Sequence, residues 1–189
     1  MQFHFDIRKT LAAVGYVLKL NKGKLSHLNL MKILYASDRK MLIDWGKPIT
    51  GDFMCSMPHG PALKRIVEMA AGDAPSQLLW DEFFSDKGGG GKRYLISMKK
   101  EPDFGFLSPA ETAVLKQFNS QFAKVPYHAL MREVHGKNFP EWQHPRPCGS
   151  KPIDVESILR RASKTPSEIE DIRQKNKRRF SIHETLKRG

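Results

Sequence analysis

The stretch GKPITGDFMCSMPHGP (residues 46–61) sets three glycines and three prolines around a short apolar run. Lys47-Pro48 and Thr50-Gly51 read as consecutive turns, because proline presets one backbone angle and glycine supplies the positive one. Phe53, Cys55 and Met57 then alternate with Met54, Ser56 and Pro58, the period of a short strand over 52–57. Gly60-Pro61 reads as a helix start, with Pro61 at the first helical position, where its missing N–H costs nothing. Leu63, Ile66, Val67 and Ala70 continue that helix over 61–71. The stretch is thereby a helix-turn-strand-turn-helix corner, and its neighbours must fold against it.

Upstream, Ile7, Leu11, Val14 and Leu18 form one apolar stripe, predicting a helix over 5–20 that NKGK (21–24) breaks. A second helix is expected over 26–45, with Leu30, Leu34 and Met41 inward and Lys32, Arg39 and Lys40 outward. Downstream, LLWDEFF (78–84) and KRYLISMKK (92–100) read as two strands joined by a glycine-rich tip. Ser108-Pro109-Ala110-Glu111 is a capping box that opens a helix over 109–123, and Leu130, Met131 and Val134 define another over 126–135. The expected class is α+β, mainly helical, with helices packed around a small antiparallel sheet. Strand 52–57 is expected to join the hairpin 78–98, since a lone hairpin is marginally stable. The corner then brings Lys32, Tyr35, Asp38, Thr50 and His59 together.

Four prolines between residues 140 and 152 exclude a regular element and place a boundary near 145. The expected units are residues 1–145 and a basic, partly helical tail, 146–189. The tail carries twelve Lys/Arg against six acids, half of the chain's net charge of +12. Its segments VESILRRA and PSEIEDIRQKNKRRF have too few apolar residues for a core of their own, so they are expected to dock on the domain or on a partner. For a partner, Ile158, Leu159, Ile169, Ile172 and Phe180 are the apolar anchors, and Arg173, Lys177, Arg178 and Arg179 the cations.

The charge favours an anionic partner, either an acidic protein or nucleic acid. As a DNA reader the 26–45 helix offers only Asn29, Lys32, Arg39 and Lys40, a poor set for base contacts. None of the seven histidines falls in a catalytic or metal-binding pattern, and no phosphate loop or dinucleotide fingerprint occurs. Cys55 and Cys148 lack ligand spacing and read as free thiols. His59 reads as a packed turn residue and Lys32, Tyr35 and Asp38 as a small polar cluster. A helix start at Gly60-Pro61, followed by Lys64 and Arg65, offers amides to an anion, as every helix start does. The expectation is a protein that is not an enzyme, with no catalytic residue, metal or cofactor. With no apolar run long enough for a bilayer and no signal-peptide order in MQFHFDIRKT, it is expected to be cytoplasmic, without membrane contact.

In order along the chain, Leu30-Met31-Lys32-Ile33-Leu34-Tyr35-Ala36-Ser37-Asp38, Gly46-Lys47-Pro48-Ile49-Thr50-Gly51 and Pro58-His59-Gly60-Pro61 resemble the motifs of the Panacea domain. This is the family of SocA-like antitoxins and phage-associated proteins. Leu107-Ser108 with Glu111 resembles the family's helix start, and Leu130, His135 and Trp142 its closing pattern, so the resemblance spans about residues 7–145. Two departures are Ala62-Leu63 after the Gly-Pro and a long tetraglycine tip. The resemblance implies the antitoxin of a bacterial or phage toxin-antitoxin pair, which neutralises a cognate toxin by direct protein-protein binding. It implies Lys32, Tyr35, Asp38, Thr50, His59 and Pro61 as motif or partner-binding residues. The tail lies outside it. One relative instead delivers its toxin to a protease, so a proteolytic adaptor is the alternative; a nucleic-acid-binding regulator is the third.

Overall fold

A computed structural model describes residues 1, 3–73, 75–87, 95–136, 138–145 and 149–187, with side chains up to Phe180 apart from those of 86 and 87. The fold is α+β and mainly helical. Helix α1 (Ile7–Leu20) is capped by Asp6, whose carboxylate accepts from Lys9 N, and is followed by Gly23 at positive φ. A short strand β1 (Lys24–Ser26) leads into α2 (His27–Trp45), capped by Ser26 and ended by Gly46 in the left-handed region. Every residue of α2 from Asn29 to Asp38 is buried. A helix buried all round sits at the centre of a fold, and α2 packs against α1, α5 (Pro109–Phe122), α3 (Lys64–Ala71) and α7 (Val155–Arg161).

The corner departs from the expected one. β2 (Met54–Met57) pairs with β3 (Gly60–Leu63), in register Met54↔Leu63 and Met57↔Gly60, and not with the downstream hairpin. Pro61 therefore lies in a strand, and α3 starts only at Lys64. Gly-Pro serves an edge strand as well as a helix start, because proline's missing donor is tolerated at either place; β3 is an edge, in the order β3-β2-β6 with β6 at Lys151–Pro152. Gly60, at φ +96°, makes the tight return. The anion site imagined at Gly60-Pro61 has no helix start to form it.

LLWDEFF is also corrected: residues 77–83 form α4 (Gln77–Phe83), followed by β4 (Phe84–Lys87). Trp80 and Phe84, four apart, are both fully buried with ring centroids 4.8 Å apart, while Leu78 is 89 % exposed. The period of four thus overrides the period of two. β4 pairs with β5 (Leu95–Met98), and the third strand is β1, Leu25 facing Ile96. The glycine-rich tip lies outside the described residues. The capping box forms as expected: Ser108 Oγ accepts from Glu111 N while Glu111 Oε2 accepts from Ser108 N. α6 (Tyr127–His135) follows Pro126 and turns Leu130 and Val134 inward.

After residue 148 the chain is built into the same body. β6 (Lys151–Pro152) pairs with Cys55 and Ser56 of β2, and α7 puts Ile158 and Leu159, both fully buried, into the common core. Ile169 of α8 (Pro166–Lys187) joins them, and Ile172 rests against Gly46, where an added Cβ would lie 2.8 Å away. These anchors, read as available to a partner, are thus consumed by the chain's own core. Leu159→Ala is expected to cost about 3 kcal/mol in urea denaturation, the usual range for a well-packed core leucine. A loss under about 0.5 kcal/mol, the scale of a surface change, would contradict this packing.

Candidate partner-binding site

Three polar residues spaced by three along α2 each hold a different segment. Lys32, expected to face outward, is 2 % exposed, and its ammonium donates to Pro61 O at 2.8 Å. Burial lowers its pKa to about 7. Gly60 leaves room for it: a Cβ there would lie 3.1 Å from Lys32 Nζ and 2.6 Å from Val134 Cγ2. Tyr35 donates at 2.8 Å to Glu141 Oε1, which also accepts from Arg39 Nε at 2.8 Å. Burial first, then the Glu141 charge, holds the Tyr35 phenol well above its ordinary pKa.

Asp38, fully buried, accepts from Ile49 N at 3.0 Å, Thr50 N at 3.1 Å and Thr50 Oγ1 at 2.5 Å. Burial raises its pKa to about 7, and the bonds from Thr50 and Ile49 oppose that rise. Thr50 Oγ1 accepts from Asp52 N, and the Asp52 carboxylate accepts from Phe53 N, Arg65 N and Ile66 N. Asp52 thereby caps α3 from a distance, since Leu63 at the N-cap supplies no side-chain bond. Burial puts its pKa at about 6, again opposed by these amides.

The expected single cluster is therefore three separate fastenings. Asp38 meets Thr50, Lys32 meets Pro61, and Tyr35 goes to Glu141; His59 joins none of them. Asp52 and Glu141 went unread as site residues, and Arg39 was read only as an outward cation and a poor DNA contact. Asp52 carried a signal, an acid shortly before an uncapped helix, whereas Glu141 is 102 residues from Arg39 and had none.

Of the six motif residues only His59 is exposed. Its Nδ1 lies 3.3 Å from Tyr127 Oη, and Tyr127 is 48 % exposed. Beside them His135 stacks on Trp142 with centroids 4.1 Å apart, and Trp142 Nε1 donates to Met57 O at 3.0 Å. Partial burial, then the Lys32 charge, lowers the His135 pKa. On the tail, Arg173 is bound to Glu156 at 2.8 Å and to Glu170, and Phe180 meets His4 edge-on. Lys177, Arg178 and Arg179 are exposed. A cleft of about 280 Å³ between α8 and the end of α2 mixes Lys175 and Arg179 with Asp44, Glu168 and Asp171.

Among the described residues no group of three His, Cys, Asp or Glu is placed to hold a metal, and no helix is long and apolar enough to cross a membrane. Cys55 is buried, which pushes its thiol up to about 11; Cys148 lies outside the described residues. Residues 30–143 match the family described as "Antitoxin SocA-like, Panacea domain". No curated protein and no solved structure matches the chain.

Lys32 yields a pH prediction. Its amine titrates near 10.5 when unfolded and about 7 in the fold, so the fold holds fewer protons between those values. Stability from this group rises with pH across that window, by up to about 1.4 kcal/mol per pH unit. The stability difference between wild type and Lys32→Met should shift in favour of wild type from pH 7 to 9 in urea denaturation. A difference that is flat with pH would show that Lys32 keeps an ordinary pKa.

Proposed function

The chain belongs to the SocA-like Panacea family, and we propose that it is an antitoxin that neutralises a cognate toxin by a direct, stoichiometric and non-catalytic grip. The observation that carries this is the family match across residues 30–143. The burial of the motif agrees with it: Lys32, Tyr35, Asp38, Thr50 and Pro61 are spent on holding the fold, which leaves them unable to meet a substrate. In this reading residues 1–145 form the gripping unit, and 146–189 an extension that contributes cations. Lys177, Arg178 and Arg179 pair with acidic toxin surface, while Arg173 and Phe180 seat α8 through Glu156 and His4. The partner is a protein encoded beside this one, and the pair acts in the cytoplasm of a bacterium or a phage-infected cell.

The test is to express the adjacent gene with and without this one. Growth arrest by the neighbour alone, relieved by co-expression in a host lacking its cytoplasmic proteases, is the expected result. A neighbour harmless alone would sink the reading, and relief that requires a protease would replace it with the adaptor mechanism. Lys177→Glu, Arg178→Glu and Arg179→Glu together should weaken binding to the toxin and leave thermal stability unchanged. Truncation at residue 145 is unsuitable for this test, because it removes β6 and the core residues Ile158 and Leu159.

A further inference from the structure

We propose that the toxin docks on the outward face of α6 together with the tip of the β2–β3 hairpin, presenting an acidic segment to His128, Arg132, His135, Tyr127 and His59. This rests on the antitoxin reading and names its contact surface. Leu130 and Val134 turn α6 inward, both fully buried. Residues 128, 132 and 135 share the opposite face by their spacing of four and three, and all three are exposed. No acid interrupts that stripe, for Glu133 lies to one side and accepts from Asn138 Nδ2.

Some cations on other faces are paired, although the exposed Lys177, Arg178 and Arg179 of α8 are not among them. Lys9, Lys19, Lys40, Lys64, Lys100, Arg160 and Lys164 each meet a carboxylate. Arg132 meets none among the described residues. The dipole of α6 favours cations in its last turn, which suits Arg132 and His135, but it disfavours them in the first turn, where His128 stands. The face offers hydrogen-bond donors and aromatic surface with no competing carboxylate, which is complementary to an acidic segment that also carries an apolar side chain.

It is also held in place. His135 is stacked on Trp142, Trp142 is bonded to Met57 O, and Tyr127 is bonded to His59, so little conformational freedom is left to lose on binding. Tyrosine, tryptophan and arginine are the residues that most often dominate binding at interfaces.

The test uses the full chain and the purified product of the adjacent gene. His128→Glu with Arg132→Glu should weaken the Kd about tenfold or more and abolish growth rescue, with an unchanged melting temperature. Lys24→Glu with Lys99→Glu, a somewhat larger charge change in β1 and just after β5, should do neither. Tyr127→Ala tests the same face without a charge change and should also weaken binding. Unchanged affinity in His128→Glu/Arg132→Glu, or equal loss in the control pair, would overturn the proposal. So would finding that the α6 changes abolish only duplex DNA binding or self-association. If wild type itself fails to bind or neutralise, the antitoxin reading fails first, and this surface falls with it.

Discussion

A fully buried carboxylate, Asp38, organises this fold. Burying Asp38 among apolar side chains carries a large desolvation cost, offset only by good hydrogen bonds. It finds them in Ile49 N, Thr50 N and Thr50 Oγ1, and so draws the turn after α2 onto the helix. The effect passes along. Thr50 Oγ1 orients Asp52, and Asp52 holds the first amides of α3. Thr50 O accepts from Asp6 N at the start of α1, and Gly51, at φ +71°, leaves no room for a side chain, since a Cβ would lie 2.0 Å from His4 O. Three helices are thus located from one acid.

Lys32 and Tyr35 extend the same logic along α2. Lys32 fastens the hairpin that carries His59, and Tyr35, through Glu141, fastens the segment that carries Trp142. Lys32, Tyr35 and Asp38 are therefore an internal framework, and what they position is a set of exposed groups at one end. The division has a structural consequence: side chains on the outward face of α6 or on α8 can change without disturbing the buried bonds.

How much of this was legible in the sequence follows from the range of each interaction. The helical periods of α1 and α2 and the capping box at Ser108–Glu111 were readable because neighbours within four residues decide them. Pro61 was misread because a Gly-Pro pair suits two local structures, and only pairing with β2 chose between them. LLWDEFF misled because its apolar run fits both periods, and the burial of Trp80 on Phe84 settled it. Lys32 looked like surface charge because its partner is a main-chain carbonyl, which no residue identity announces. Glu141, β1 and β6 depend on contacts across most of the chain and left no local trace.

Amide hydrogen exchange followed residue by residue tests the organising role of Asp38 most directly. In the wild type Ile49, Thr50, Arg65 and Ile66 should be strongly protected. In Asp38→Ala protection should fall at all four, including Arg65 and Ile66, which Asp38 does not touch, because they depend on Asp52 as positioned through Thr50. Loss confined to Ile49 and Thr50, with Arg65 and Ile66 as protected as before, would contradict the relay and with it the claim that this one carboxylate locates the corner.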